Sequence, residues 1–253
     1  ASKAHPYYQE VITPEGRKLL KDIKVGDWLF GDDGNPTQVV DIPFDDVADI
    51  YKITLKDGRE VFASDEHLWR VMVHCHKNEE IWSTTKLLQE YKRQRKVTER
   101  NPSGIELVCG IPANKAVEFP EIPTKVDPYT FGLLLGDGCF RHSCCYFTSE
   151  DKDFEVVKTK IPYEIIKWKA KFAYRLRIPN WRKILQEYGL WFKKSEDKFI
   201  PDEFKFNSRK VRLALLTGLM DADGRLGKHE VYQITTTSAQ LAKDIRDLCF
   251  SLG

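Results

Sequence analysis

Two stretches of the chain end in the same arrangement of glycine and aspartate. Residues 130–138 read TFGLLLGDG and residues 216–224 read LTGLMDADG, so that Asp137 and Asp223 each stand immediately before a final glycine. Two carboxylates brought together repel each other unless a cation lies between them. Oxygen ligands of this kind suit Mg²⁺, and metal ions held there can assist an in-line phosphoryl displacement. The pair Asp137 and Asp223 is therefore the first candidate metal and catalytic site.

The elements that must position these carboxylates are two apolar helices. Each stretch predicts a helix whose last turn carries the aspartate and whose stop signal is the following glycine. Gly132 and Gly218 would let the two helix backbones approach closely. Asp127 is a candidate cap for the first helix, and Ser238 caps a helix predicted over residues 239–252. The alternative is a pair of ordinary buried helices that end in Asp-Gly turns.

The repeated motif resembles that of the LAGLIDADG homing endonucleases. The second copy matches the name at seven of nine positions, whereas the first keeps Gly132, Leu133, Asp137 and Gly138. The resemblance implies an α+β fold of αββαββ repeats, Mg²⁺ as the cofactor and cleavage of double-stranded DNA. It also implies that Asp137 and Asp223 are the catalytic metal ligands.

One lysine precedes the second motif in a recognisable setting. The run Lys198-Phe199-Ile200-Pro201 resembles a further block of intein endonucleases, in which the lysine lies near the metal centre. By that resemblance Lys198 would polarise the attacking water or stabilise the charge on phosphorus. A surface lysine before a turn is the alternative.

A basic stretch between the motifs predicts a surface for nucleic acid. The net charge is only +2, but residues 152–183 hold ten Lys or Arg against three Asp or Glu. Two strands are predicted at 165–171 and 172–178, with one face on the helices and a basic face towards DNA. The predicted DNA-binding residues are Lys167, Lys169, Lys171, Arg175 and Arg177. A solvated face is the alternative.

The first third of the chain carries a second type of chemistry at Ser64 and His67. A peptide bond is planar and stabilised by resonance, so its cleavage requires a polarised carbonyl and a protonated leaving nitrogen. A histidine can donate that proton, and a hydroxyl can stabilise the oxyanion. His67 fits the first role and Ser64 the second, although a lone histidine at the end of a strand is more often structural.

The order of motifs around these residues resembles the N-terminal half of an intein. It runs from Thr13-Pro14-Glu15-Gly16 through Val25-Gly26-Asp27 and Asp57-Gly58 to Ser64-x-x-His67, with serine in place of the more usual threonine. The resemblance implies an all-β, horseshoe-shaped Hint fold and autocatalytic protein splicing without a cofactor. It also implies a flanking extein host protein as a partner.

The resemblance makes the first residue of an intein the splicing nucleophile, usually Cys and sometimes Ser. Here the chain begins with Ala1 and Ser2. We expect that Ala1 occupies the position of the nucleophile and disables the first acyl shift. Alternatively, Ala1 is a flanking residue and Ser2 is the true first residue.

The combined prediction is a mixed α and β protein of two domains. Residues 1–128 are predicted as the intein splicing domain, with an insertion at about 76–120, and residues 129–253 as the endonuclease. Pro120, Pro123 and Pro128 mark the expected linker. The second αββαββ repeat is incomplete, so we expect an N-terminal piece of a split intein that is completed by a complementary C-terminal fragment. The rivals are a DNA-binding or intron-maturation protein that does not splice, and a Hint-type autoprocessing domain.

The six cysteines fit no standard zinc pattern, and the sequence shows neither a signal peptide nor a membrane span. A cytoplasmic location with free thiols is the expectation. His74-Cys75-His76 has metal-binding residue types, but chance clustering in a loop is the better interpretation.

Overall fold

The computed structural model describes residues 4–43, 47–55, 58–73, 78–100, 109–228 and 231–253, with the side chains of 95–100 left out. The chain divides into two compact units, Ala1–Asn114 and Lys115–Gly253. No helix of the described ranges is long and apolar enough to cross a membrane.

The first unit consists of antiparallel strand pairs followed by one long helix. The pairs are β1 (Glu10–Thr13) with β2 (Gly16–Leu19), β3 (Trp28–Phe30) with β4 (Pro36–Gln38), β5 (Ile50–Thr54) with β6 (Glu60–Ser64), and β7 (Leu68–Val73) with β8 (Asn78–Ser83). The helix α1 spans Thr84–Arg100. This content agrees with the predicted β-rich first third.

A small aromatic core holds the last two strand pairs together. Ala63, Trp69, Val71 and Trp82 are buried in one cluster. Trp69 lies opposite Trp82 in the register of β7 and β8. The indole N–H of Trp69 donates to Thr84 Oγ1 at 2.9 Å. A buried tryptophan still needs a hydrogen-bond partner for its N–H, and Thr84 supplies it. This core surrounds the end of β6, where Ser64 lies.

The second unit alternates helices with strand pairs. Its elements are α2 (Pro128–Asp137), β9 (Gly138–Cys139), β10 (Cys145–Thr148), α3 (Asp151–Val157), β11 (Ile165–Lys167), β12 (Ala173–Leu176), α4 (Trp181–Glu187), α5 (Asp202–Lys205), α6 (Arg209–Asp223), β13 (Gly224–Leu226), β14 (Tyr232–Ile234) and α7 (Ala239–Ser251). One sheet has the strand order β11-β12-β10-β9, and β13 pairs with β14. The order α2-β9-β10-α3-β11-β12 is thus αββαββ, and the later elements α6, β13, β14 and α7 follow the order αββα.

The helices α2 and α6 pack side by side through their glycines. A Cβ atom at Gly132 would overlap the carbonyl oxygen of Leu215, and one at Gly218 would overlap that of Tyr129. A Cβ at Gly136 would lie 3.0 Å from Asp223 Oδ2. The predicted close approach at Gly132 and Gly218 is therefore present, and it aligns the C-terminal ends of the two helices.

The glycines that end these helices serve a different purpose from the one expected. Gly138 has φ −84° and Gly224 has φ −82°, so neither adopts the left-handed conformation of a typical C-terminal glycine. Each helix instead passes directly into an extended strand. A Cβ at Gly138 would overlap the carbonyl oxygen of Leu134, so steric room rather than backbone freedom requires the glycine.

The segment before α2 belongs to the second unit, which places the boundary upstream of the predicted linker near 128. The N–H of Val117 donates to the carbonyl of Ser251, and the amide of Asn207 bonds both ways with the backbone of Ile122. The fully buried Arg212 donates to the carbonyls of Asn207, Ser251 and Val117. These contacts attach residues 115–127 to α6 and α7, although the prolines suggested a free linker.

Candidate functional site

The ends of α2 and α6 bring Asp137 and Asp223 into one electrostatic site. Burial and, after it, the charge on Asp223 raise the pKa of Asp137 to about 6, against the opposing effect of Lys198. The pKa of the more exposed Asp223 is also raised by burial, while Lys198 lowers it. The pKa of each carboxylate is thus affected by a charged neighbour in this site.

Lys198 occupies the C-terminal end of α2. Its ammonium group donates to the carbonyl oxygens of Leu134, Leu135, Gly136 and Gly138 at 2.8–3.2 Å. The side chain is only 3% exposed, and burial lowers the pKa of Lys198 to about 8. A lysine has three N–H bonds, so the carbonyls take up its donor capacity. In this arrangement Lys198 contributes positive charge beside the carboxylates rather than a hydrogen bond to a water molecule.

The backbone of Lys198 is also held in place. Ser238 Oγ donates to the carbonyl of Lys198 at 2.6 Å and accepts from the N–H of Leu241 at 3.1 Å. Ser238 is therefore the predicted cap of α7 and at the same time a link to the lysine. The ring of Phe140 lies 4.8 Å from the Lys198 ammonium and adds a cation–π contact. The strand after α2 and the cap of α7 thus fix one lysine at the two carboxylates.

The other aspartate of the second motif has a separate role. Asp221 Oδ2 accepts from the hydroxyl of Tyr129 at 2.7 Å and pairs with Lys160 Nζ at 2.6 Å. These bonds connect α6 to α2 and to the turn after α3. Asp221 is therefore engaged in packing, which leaves Asp223 as the carboxylate that faces Asp137.

The donor set of this site fits a hard divalent cation such as Mg²⁺. Within the described ranges, neither Asp137 nor Asp223 accepts a hydrogen bond from another residue, so oxygen acceptors remain for a cation. Mg²⁺ commonly binds through one or two carboxylates and keeps several waters, and it does not need a protein cage. Accordingly, the described ranges hold no cluster of three or more His, Cys, Asp or Glu side chains with ligand geometry.

The predicted basic face is divided by the register of the sheet. Lys167 pairs with the buried Tyr174, whereas Arg175 pairs with Ile166 and Tyr146 on the opposite face. Lys167 Nζ consequently lies 3.4 Å from Asp151 on the helix side. Lys169 and Lys171 are exposed in the loop between β11 and β12. The expectation that all five basic residues share one face is therefore wrong, because the strands end before Lys169.

On the open face, Arg175 of β12 and Arg177, which immediately follows β12, remain as a basic pair. Arg177 is exposed and forms an ion pair with Glu164 at 3.1 Å. Arg175 is half-buried beside Tyr146. Lys169 and Lys171 add two exposed basic side chains in the adjoining loop.

In the first unit, Ser64 ends β6, and His67 follows in the turn that leads to β7. The N–H of His67 donates to the carbonyl of Ser64 at 3.2 Å, and its ring packs edge-on against Trp69 with 4.6 Å between centroids. Ser64 is 1% exposed, and its hydroxyl has no hydrogen-bond partner among the described residues. A buried hydroxyl without a partner is uncommon and is available for a group that enters the site.

The beginning of the described chain lies against this turn. The carbonyl of Ala4 accepts from the N–H of Ser64 at 3.0 Å. His5 Nδ1 is 2.7 Å from the carbonyl of Phe62, and its ring centroid is 4.3 Å from that of His67. The sequence did not single out His5, because only the pairing of residues far apart in the chain shows that it meets His67.

Two sets of sequence-predicted residues lie outside the described residues. Ala1, the expected position of the nucleophile, and its alternative Ser2 precede residue 4. His74-Cys75-His76 lies between β7 and β8. Their roles remain predictions.

Comparison with known proteins gives similarities without a family match. No protein-family model matches the chain. The chain is 28% identical over 254 aligned residues, 95% of its length, to a replicative DNA helicase DnaB of Mycobacterium intracellulare. The match covers 41% of that relative, so the chain spans about two fifths of the helicase sequence.

Two solved structures are similar to a shorter part. The crystal structure of the gp41-1 intein is 28% identical over 34% of this chain and 62% of its own, with a TM-score of 0.29. The Msm DnaB1 intein splicing domain bound with zinc is 30% identical over 32% of this chain and 62% of its own, with a TM-score of 0.28. Each of these two matches covers about a third of the chain.

Proposed function

We propose that the first unit is the splicing domain of an intein, a segment that excises itself and joins its flanking sequences. The observation that carries the proposal is the bond between the Ala4 carbonyl and the Ser64 N–H, with His5 against His67. This pairing brings Ala4 and His5 next to the residues that would act on the N-terminal splice junction.

The chemistry of this step follows from the two side chains. A nucleophile attacks the carbonyl carbon of the preceding peptide bond; the new C–O or C–S bond forms and the C–N bond breaks. The amide nitrogen leaves with a proton that His67 donates, and the nucleophile releases its own proton. The unpartnered Ser64 hydroxyl donates to the oxyanion. Ala1 offers no nucleophile, so the step requires cysteine at position 1 or Ser2 as the first residue.

The similarity to a DnaB helicase sequence is compatible with an intein that is inserted in such a helicase. The chain has no G-x-x-x-x-G-K-[ST] loop, so it offers no P-loop of its own for a nucleotide-driven motor. We propose that the flanking host is a DnaB-type helicase and that the remaining splicing residues come from a complementary C-terminal segment.

Splicing is tested with the chain placed between two reporter domains and supplied with its C-terminal part. Mass spectrometry should find a ligated reporter product in the Ala1→Cys variant, or in the parent if Ser2 is the first residue. Ser2→Ala separates these two cases. His67→Ala should slow cleavage at the N-terminal junction about 100-fold or more, since general acid catalysis contributes about 10²–10⁴-fold. Glu66→Ala, at an exposed neighbouring position, is the matched control.

The rivals predict other products. Cleavage without ligation would favour an autoprocessing domain. Neither cleavage nor ligation in any of these variants would overturn the splicing proposal and favour a DNA-binding or maturation protein.

We also propose that the second unit is a LAGLIDADG-type endonuclease acting on double-stranded DNA. Support comes from the paired ends of α2 and α6, which set Asp137 against Asp223 next to the buried Lys198. Mg²⁺, when bound, would neutralise charge on the scissile phosphate and on the attacking water. Asp137 and Asp223 would hold the cation, while Lys198 would fix the end of α2 and so the direction of Asp137.

The nuclease proposal is tested on a library of duplex DNA with a randomised cassette, read by sequencing of the cut ends. Cleavage should require Mg²⁺ and should fall by at least about 100-fold in Asp223→Asn. Asp153→Asn, an exposed carboxylate in α3, should cut as the parent does. Mg²⁺-dependent cleavage that persists in Asp223→Asn would refute the assigned carboxylate.

A further inference from the structure

A cleft of about 400 Å³ lies beside Asp137 on the open side of the four-stranded sheet. The sheet face that Tyr146 and Arg175 share forms part of its wall. Its lining consists of Asp137, Cys139, His142, Tyr146, Phe147, Thr148, Trp168 and Ala173. The proposed nuclease chemistry uses only the carboxylate and gives no role to the aromatic wall.

The aromatic wall is a connected row of rings. The Tyr146 ring lies 5.4 Å from that of Trp168 and 6.1 Å from that of His142, in edge-to-face arrangements. Trp168 is 43% exposed, although it stands next to a strand whose other face is well buried. Aromatic side chains on a sheet that expose a ring surface are the usual platforms for unpaired bases.

A second cleft of about 280 Å³ adjoins the first at Cys139. It is bordered by the exposed side chains of Arg141, Lys193 and Lys194. The loop that follows Trp168 adds the exposed Lys169 and Lys171. An aromatic cleft with basic side chains on both sides has the charge and surface of a site for one nucleotide unit, a base with its phosphates.

We propose that the aromatic cleft binds an unpaired nucleobase of a DNA strand, with the adjoining phosphates on Arg141, Lys193 and Lys194. A base inside a duplex is stacked on its neighbours and presents only its edges, so it cannot place its ring on Trp168. The volume lies in the range of about 300–1,000 Å³ that is usual for small-molecule sites. The inference deepens the proposed nuclease function, because Asp137 lines the same cleft, and it names an unstacked nucleotide as part of the substrate.

The test compares two single-stranded 12-mers with identical phosphates, oligodeoxythymidylate and an abasic 12-mer. Fluorescence anisotropy with the full chain in EDTA prevents cleavage and gives both dissociation constants. The parent should prefer the thymidylate 12-mer about tenfold, since stacking on one aromatic ring contributes a factor of this order. Trp168→Leu should remove the preference. Trp28→Leu, which changes a tryptophan of similar exposure in the first unit, should keep it.

Two further variants distinguish binding of the base from binding of the phosphates and from DNA cleavage. Lys193→Ala with Lys194→Ala should weaken both 12-mers equally. Asp223→Asn should leave the preference unchanged even though it removes cleavage, so this inference and the nuclease proposal can fail separately. Equal binding of the two 12-mers by the parent, no binding of either, or a preference that survives Trp168→Leu would overturn the inference.

Discussion

At the scale of single residues, Lys198 shows how one side chain can set the geometry of a site without touching a reactant. Its ammonium group donates to the carbonyls of Leu135 and Gly136 in the last turn of α2, where carbonyls lack donors within the helix, and to that of Gly138 just beyond it. Asp137 is the last residue of α2. The position of the carboxylate therefore depends on a buried positive charge contributed by a segment 60 residues later in the chain.

Replacing Lys198 by methionine should destabilise the second unit. The carbonyls would remain buried without a donor, and such a loss costs about 2–4 kcal/mol when the donor is charged. Urea denaturation followed by circular dichroism would measure the change in the free energy of unfolding. Lys193→Met, at an exposed position, should change it by less than about 0.5 kcal/mol. An unaltered stability of Lys198→Met would show that water replaces the ammonium at little cost.

Asp137 predicts a pH dependence of stability in the absence of metal. Burial and the charge on Asp223 raise its pKa to about 6, so the folded state holds the proton more tightly than the unfolded state does. The resulting stabilisation is present below about pH 4 and is lost as the pH rises through about 6. Allowing for partial exposure, the loss is about 1–2 kcal/mol.

The measurement is the difference in unfolding free energy between the parent and Asp137→Asn in EDTA. Between about pH 4 and pH 7 the parent should lose stability relative to the variant. Mg²⁺ should reduce this loss if it binds the ionised pair. A difference that stays constant over this pH range would contradict the raised pKa.

At the scale of elements, the contact between α2 and α6 is the feature that aligns the carboxylates. Because backbone rather than side chain meets each glycine, the contact cannot yield by a change of rotamer. Gly132→Ala should therefore separate the helices and lower the free energy of unfolding by about 1–3 kcal/mol or more. Chemical denaturation measures this, with Gly110→Ala as the control, because a Cβ at Gly110 meets nothing within 4 Å. Equal effects of the two substitutions would mean that the close approach is not tight.

The helix caps and the strand register show which structural features the local sequence can predict. Asp127 accepts from the N–H of Thr130 at 2.8 Å, and Ser238 caps α7, as their residue types indicated. Caps depend on neighbours within three residues, so a sequence reveals them. The face on which Lys167 lies depends instead on the register of β11 against β12 and on where the strands end. The contacts of Lys198 and His5 depend on residues about 60 positions away, which no local pattern encodes.

At the scale of the whole molecule, the division into two units follows packing rather than composition. Three prolines at 120, 123 and 128 favoured a linker, but proline also suits an extended segment that lies on a surface. Phe119 is 5% exposed, and the guanidinium of Arg212 lies 5.1 Å from its ring. The segment 115–127 thus completes the core of the second unit over the helices that carry the site.

The position of the boundary can be decided with two fragments, 115–253 and 129–253. The shorter fragment lacks the carbonyl of Val117 and the ring of Phe119, so the buried Arg212 loses an acceptor and its cover. Leaving part of a buried charge without partners costs about 3–5 kcal/mol, and exposing Phe119 adds to it. Fragment 115–253 should therefore unfold in one cooperative transition in urea, whereas fragment 129–253 should be less stable by at least this amount. In fragment 129–253, Arg212→Met should recover much of the difference, because methionine fills the space without a buried charge that lacks partners. Equal stabilities of the two fragments would return the boundary to residue 128.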